Sequence, residues 1–365
     1  MKIDITLEEA LSRASIRLQK KLAYSVELLQ KAAPIATAYD SRGGYFLAFS
    51  GGKDSQALYH VAQLAGVPFE GHMNLTSVDP PEVIRFVKTH YPEVQLTKPK
   101  DSIYHIAVQK QLLPTKKVRW CCNEYKEMAG AGKVTLIGIR HQESKDRSER
   151  NEVEISSYAF SGTLEELEEF REKRLAKERK RKKKKDITID TATEEHTLGC
   201  IRGKETLIIS PIIHWTVYDV WEFLNKVVRV PHCKLYDEGW RRIGCICCPK
   251  SGLNQKIREN AHYPHVKEKW IQAIMAIRRG DHLIQNIYDG SALISHPDPD
   301  HWGGKSGRTP DSGQGFSDSS SSDGLTEEQK EREIAENIFD WWISGLSYKK
   351  WYAQTILQYE IDWDG

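Results

Sequence analysis

Apolar side chains recur at three- and four-residue intervals between residues 7 and 33 (LEEALSRASIRLQKKLAYSVELLQKAA), with charges between them, which predicts an amphipathic helix or helix pair at the start of the chain. The period then changes. Tyr45-Phe46-Leu47-Ala48-Phe49 is a short apolar run bounded by Gly43-Gly44 and Gly51-Gly52, the pattern of a strand buried on both faces in a parallel sheet. Ser55 to Leu64 returns to helical spacing, and Gly66 and Pro68 mark its end. Phe69 to Leu75 predicts a second strand, Pro81 to Thr89 a helix with proline at its start, and Val134 to Ile139 a further buried strand. Leu207 to Ile209 reads as a last strand and Thr216 to Val228 as the helix after it. Strand and helix alternate throughout, so the expected fold class is α/β: an open, mostly parallel sheet with helices on both faces, binding ligands at the carboxyl ends of its strands.

Two segments interrupt the alternation. Residues 164 to 185 (LEELEEFREKRLAKERKRKKKK) predict a helical insertion, acidic first and basic last, an order that suits the helix dipole. Its end, Arg179 to Lys185, is a run of basic residues that either is solvated or grips the phosphate backbone of a nucleic-acid partner. Residues 296 to 324, rich in Ser, Gly, Asp and Pro, read as a flexible linker. Beyond it, one or two helices carry Trp341, Trp342 and Trp351, expected to pack back on the body. The expected organisation is a helical segment at 1–40, an α/β domain at 41–250 with a charged insertion at 160–190, a helical extension at 251–295, a linker at 296–325 and an aromatic-rich helical tail at 326–365.

Composition narrows the class. With 53 Lys and Arg against 51 Asp and Glu and 39% apolar residues, the chain is an ordinary globular one, neither collagen-like nor wholly disordered. Its apolar runs are too short to span a bilayer and its start is acidic, which predicts a cytoplasmic protein with no membrane partner. Of the seven cysteines, five form two tight groups, Cys121-Cys122 and Cys245-Ile246-Cys247-Cys248. In a reducing compartment such grouping indicates metal ligation or redox chemistry before disulfides. Four thiolates suit an iron–sulfur cluster, while His232, Cys233, Cys245 and Cys248 would satisfy tetrahedral zinc. Arg119, Arg241 and Arg242 lie near enough in sequence to favour thiolates. Cys200 and Cys247 are left over.

Ser50-Gly51-Gly52-Lys53-Asp54-Ser55 stands between the first buried strand and its helix, where glycines let backbone N–H groups approach an anion at a helix N-terminus. Lys53 is placed to neutralise phosphate, Ser50 and Ser55 to donate hydrogen bonds, and Asp54 either to cap the helix or to hold Mg²⁺. The loop does not fit the GxxxxGK[ST] pattern.

FSGGKDS resembles the PP-loop of the ATP pyrophosphatase superfamily, which implies binding of ATP and its cleavage between the α and β phosphates. GIRHQESKDR, with Arg140 and Arg147 after a strand, PIIHWTVYDVW from Pro211 and LYDEGWRRIGCICCP from Leu235 resemble later segments of the phosphoadenosine phosphosulfate reductase-like branch. The resemblance covers roughly residues 40 to 250, the insertion apart. It implies that Ser50, Gly51, Gly52, Lys53, Asp54, Ser55, Arg140 and Arg147 contact an adenine nucleotide, with Lys53 and Asp54 in the chemistry; for the two arginines a surface ion pair is the alternative. It further implies a [4Fe-4S] cluster on Cys121, Cys122, Cys245 and Cys248. Cys233 replaces Cys121 if the DNA phosphorothioation sulfurtransferases, which the sequence also resembles, are the better guide. Asn74 to Glu82 stands where relatives place a nucleoside-contacting loop, although Asp79 is expected to cap the helix that follows.

Two departures select among activities. Sulfonucleotide reductases carry a nucleophilic cysteine near the carboxyl terminus, and no cysteine follows Cys248 here. Their phosphate loops are also degenerate, whereas this loop is intact. The expected function is therefore an ATP-dependent, AMP-forming enzyme that adenylates an acceptor for sulfur transfer, served by a protein donor of sulfur or electrons. The alternatives are a sulfonucleotide reductase drawing its thiol from Cys247 or a partner, and a nucleotide-sensing regulatory subunit.

Overall fold

The computed structural model describes residues 1–127, 130–156, 160–183, 205–280, 326–347 and 350–351. Along the chain run α1 (Leu7–Arg13), α2 (Ile16–Tyr39), β1 (Tyr45–Ala48), α3 (Lys53–Ala65), β2 (Phe69–Asn74), α4 (Pro81–His90), β3 (Gln95–Thr97), α5 (Ile103–Lys110) and α6 (Trp120–Cys122). There follow β4 (Val134–Leu136), α7 (Lys145–Ser148), β5 (Val153–Ile155), β6 (Phe160–Gly162), α8 (Leu164–Lys183), β7 (Leu207–Ile209) and α9 (Val217–Glu222). The last helices are α10 (Leu253–His262), α11 (Pro264–Arg279) and α12 (Glu327–Ser344). These elements form two compact units that interleave in sequence: residues 1–75, 79–99 and 123–244, and residues 76–78, 100–122 and 245 onward.

The first unit holds a seven-stranded sheet in the order β3-β2-β1-β4-β7-β5-β6. The five strands from β3 to β7 are parallel, and β5 and β6 add an antiparallel edge. The fold is thus the mostly parallel α/β sheet expected. Tyr45 is buried and donates its hydroxyl to the Leu29 carbonyl of α2 at 2.7 Å, so α2 covers that face of β1. Phe46 and Ala48 alternate onto the opposite face.

The opening helices are a pair because Ser15 interrupts them, accepting the Leu18 amide as an N-cap. Asp219 fastens α2 to α9. It is fully buried, closes a capping box with Thr216, and pairs with Arg17 at 2.8 Å and Lys21 at 2.7 Å. Beyond Glu222 the helix widens into a π turn, Phe223–Val227, which carries it to the end expected from the sequence.

Helix α8 is the charged insertion, tied at Arg174 to Glu205 by 2.9 Å. Of the basic run at its end only the exposed Lys180 side chain belongs to the described residues; Cys200, the linker at 296–325 and the chain after Trp351 lie outside them.

In the second unit Trp270 of α11 meets Tyr104 of α5 edge-on at 4.9 Å and packs on Trp342 of α12 at 4.8 Å. The Trp342 indole donates to the Pro114 carbonyl at 2.7 Å, so this aromatic of the tail does pack on the body. Among the described residues no helix is long and apolar enough to cross a membrane.

Candidate functional site

Between the end of β1 and the start of α3, the glycine loop makes its turn at Gly51, whose φ is +70°. A Cβ there would lie 2.7 Å from Val83 Cγ1 and 2.8 Å from Val87 Cγ2 of α4, so both backbone and packing demand glycine. Ser55 pins the loop: its Oγ accepts the Ser50 amide at 3.1 Å and donates to the Gly52 carbonyl at 2.9 Å. Gly52 is the N-cap of α3 and no side chain caps the helix. One role expected of Asp54 is thereby corrected, since it stands inside the first turn and does not cap. The Lys53 amide instead donates to the hydroxyl of Tyr236 at 2.9 Å. Burial holds that phenol well above its ordinary pKa.

Lys53 is 5% exposed, with its ammonium 3.1 Å from Asp54 Oδ2. The other Asp54 oxygen accepts from Arg140 Nε at 2.7 Å, and Arg140 is buried behind it. Gly138 allows this approach, because a Cβ at that position would meet the Asp54 carbonyl oxygen at 2.9 Å. Glu143 Oε2 accepts the Arg140 amide at 2.9 Å and pairs with the Arg147 guanidinium. Around them opens a cavity of about 160 Å³ lined by Ser50, Lys53, Asp54, Arg147, Tyr236 and Arg242 among others.

Of the residues singled out in the sequence, Ser50, Gly52, Lys53, Asp54, Ser55 and Arg147 line this cavity, while Gly51 shapes the loop and Arg140 braces Asp54. Arg242, expected to favour the thiolates, lines the loop cavity. Tyr236 was missed, for a lone tyrosine far along the chain carries no spacing signal. Asp79 does not cap α4, whose N-cap is Pro80 with no side-chain bond.

A second cavity, of about 500 Å³, opens on the same face of β1, two residues back from Ala48. Phe46 stacks on His72 there with ring centroids 4.2 Å apart and planes 8° from parallel. Tyr125, Asn74, Lys98 and Lys133 complete its wall. Burial lowers the His72 pKa, against the nearby Glu70 carboxylate.

The cysteine site belongs to the second unit. Cys121 is hydrogen-bonded to Cys122 and acted on by Cys245 and Cys248; that bond, burial and the neighbouring sulfurs together push its pKa far up. Donors address the sulfurs as well: the Thr76 hydroxyl reaches Cys245 Sγ at 3.4 Å and Arg119 Nη1 reaches Cys122 Sγ at 3.9 Å. Cys233 is buried in the first unit, where Glu82, Glu238 and Lys234 are the charges acting on it. His232, its partner in the zinc alternative, has its ring 2.9 Å from Asp237. Among the described residues no three His, Cys, Asp or Glu side chains gather as a group able to hold a metal ion. Cys247 is buried, its thiol lies 3.0 Å from Asn260 Oδ1, and burial raises its pKa to about 12. That setting disfavours the thiolate, the form in which a thiol donor reacts.

A glycine loop between a central parallel strand and its helix, opening on a cavity lined by lysine and arginine, defines a nucleotide-binding α/β domain of the PP-loop kind. Residues 44–251 match the family described as the phosphoadenosine phosphosulfate reductase domain, and the chain belongs to that family. It is 24% identical over 274 residues to an uncharacterized protein of Methanocaldococcus jannaschii, covering 73% of this chain and 56% of that protein. A second protein of that organism is 22% identical over 237 residues, 61% of this chain and 40% of the relative. The chain therefore spans about half the length of the curated relatives it matches. An adenosine 5'-phosphosulfate reductase of Oceanobacillus iheyensis is 43% identical over 44 residues, 12% of this chain and 18% of that protein. Among solved structures, an FMN adenylyltransferase of Candida glabrata covers 66% of this chain and 70% of its own at 14% identity and a TM-score of 0.38.

Proposed function

We propose that this protein is an ATP-dependent, AMP-forming enzyme that adenylates an acceptor for sulfur transfer. Cys121, Cys122, Cys245 and Cys248 form no group for a single metal ion, but Cys121 is acted on by the other three, and the four would hold a [4Fe-4S] cluster, whose irons take thiolates further apart than one ion does. The observation that carries the reading is the intact Ser50–Ser55 loop, with a buried lysine opening on a cavity that also holds Arg147 and Arg242. Lys53 and the loop amides stabilise the charge that develops on pyrophosphate as it leaves, and Arg147 and Arg242 fix the phosphates in line. Asp54 and Glu143 are the oxygen ligands suited to Mg²⁺, which supplies further charge neutralisation. Phe46, stacked on His72 along the same face of β1, offers the nucleoside an apolar wall.

Four thiolates suit iron–sulfur chemistry, and donors such as Thr76 and Arg119 offset the negative charge their sulfurs carry. Such a cluster supplies sulfur or electrons. The basic run Arg179–Lys185 favours an acceptor in nucleic acid, which phosphate contacts would position without reading its sequence. Burial of Cys247 weighs against the reductase alternative.

Calorimetry of the anaerobically purified protein with Mg²⁺-ATP and with adenylyl sulfate, with pyrophosphate and sulfite assayed in the same samples, tests the reading. The expected result is a preference for ATP with pyrophosphate release, and loss of ATP binding with retained iron in Lys53→Ala. Preference for adenylyl sulfate with sulfite release would make the protein a reductase. ATP binding without turnover would make it a regulatory subunit.

A further inference from the structure

Helix α10 is built inside out. Lys256 and Glu259 are 2% and 3% exposed, while Leu253 and Ile257 are 44% and 54% exposed. Burying charged groups is costly unless their heads are bonded, so the partners of those heads indicate what the helix supports. The Lys256 ammonium donates to the Ile343 carbonyl at 2.7 Å, in the last turn of α12, where a cation also meets the helix dipole. The Glu259 carboxylate, one turn on, meets the cysteine turn. Its Oε2 accepts the Cys247 amide at 2.7 Å and its Oε1 accepts from Gln255 at 2.8 Å. The next residue, Asn260, takes the Cys247 thiol at 3.0 Å.

Cys247 is thus held at both amide and side chain, in a backbone conformation with φ of +58°. For a residue with a Cβ that conformation is disfavoured, so it persists only where surrounding bonds enforce it. The residue lies between Cys245 and Cys248, so its backbone conformation is part of the turn that carries those two thiols.

We propose that Glu259 is a positioning residue for the cysteine site: by fixing the Cys247 amide it holds the Cys245–Cys248 turn in the conformation that presents both thiols to one metal centre. Lys256 anchors that support to α12. The inference rests on the reading of the four cysteines as a metal site.

The test uses the full chain, reconstituted anaerobically with ferrous iron and sulfide, and follows iron content, the electron paramagnetic resonance signal of the reduced protein and the half-time of iron loss to a chelator. Parent protein is expected to retain iron, and Glu259→Ala to lose it about tenfold or more faster, the scale at which groups orienting metal ligands act. Glu259→Gln, whose side-chain oxygen still accepts the amide, should stay within about threefold of the parent, with an unchanged resonance signal. Glu259→Asp keeps the charge, shortens the reach and serves where the alanine variant fails to fold by circular dichroism; it should behave as the alanine variant does. Iron loss at the parent rate in the alanine and aspartate variants would overturn the inference. So would a glutamine variant as leaky as the alanine one. A parent that takes up no iron would instead refute the metal-site reading itself.

Discussion

Asp54 balances two cations at once, Lys53 at 3.1 Å and Arg140 at 2.7 Å, inside a cavity whose other charges are Glu143, Arg147 and Arg242. A phosphate group competes with that carboxylate for Lys53, whereas a divalent cation recruits it as a ligand. The two demands give Asp54→Asn opposite effects on two ligands. Metal-free pyrophosphate should bind about tenfold tighter, since one competing negative charge is gone, and Mg²⁺-ATP about tenfold weaker, since an oxygen ligand is lost. Calorimetry with each ligand checks both signs, and a shift in the same direction for both would remove Asp54 from metal binding. The loop residues were legible in the sequence because everything they need is local: glycines, a lysine and two serines within six positions of a strand end. Tyr236 was not legible, because its hydroxyl meets the Lys53 amide across a separation of 183 residues. The place of Arg242 in the loop cavity was hidden for a related reason, since its sequence neighbourhood does not fix which way its side chain turns.

At the level of elements, the buried parallel strands were readable because unbroken apolar runs such as Tyr45–Phe49 and Val134–Ile139 have few other ways to be buried. The antiparallel edge was not. Its strands, Val153–Ile155 and Phe160–Gly162, are three residues each, too short for an alternating pattern to register. The join between α2 and α9 was equally hidden, because it depends on the single carboxylate of Asp219. Burial would raise the pKa of that group, but the bonds from Lys21 and Thr216 outweigh burial and hold it below the ordinary value. A carboxylate whose pKa is lowered on folding contributes stability above its unfolded pKa of about 3.9 and loses it as the pH falls through the folded value. Asp219→Ala should therefore destabilise the protein by about 3 kcal/mol at neutral pH, since it strands Lys21 and uncaps α9. Urea titrations between pH 7 and pH 3 check this. The gap between parent and variant should narrow below about pH 4, and a gap that held constant with pH would mean that Asp219 acts by shape alone.

The described residues fall into two compact units that share one sequence by interleaving, and the two candidate sites divide between them: the loop cavity in one, the four cysteines in the other. A linear scan draws domains as successive blocks, so it could assign the cysteines at 121–122 and 245–248 to one site by resemblance but could not see that 100–122 and 245 onward make a unit of their own. Each ligand should then protect the unit whose residues hold it. At one hundred times its dissociation constant a ligand adds about 2.7 kcal/mol to the state it binds. Amides that exchange through opening of that unit should accordingly slow by about a hundredfold. Hydrogen exchange read by mass spectrometry should show pyrophosphate protecting 45–66 and 134–141, and iron reconstitution protecting 115–122 and 245–262. Protection by pyrophosphate that extended equally to 245–262 would show that the units open as one.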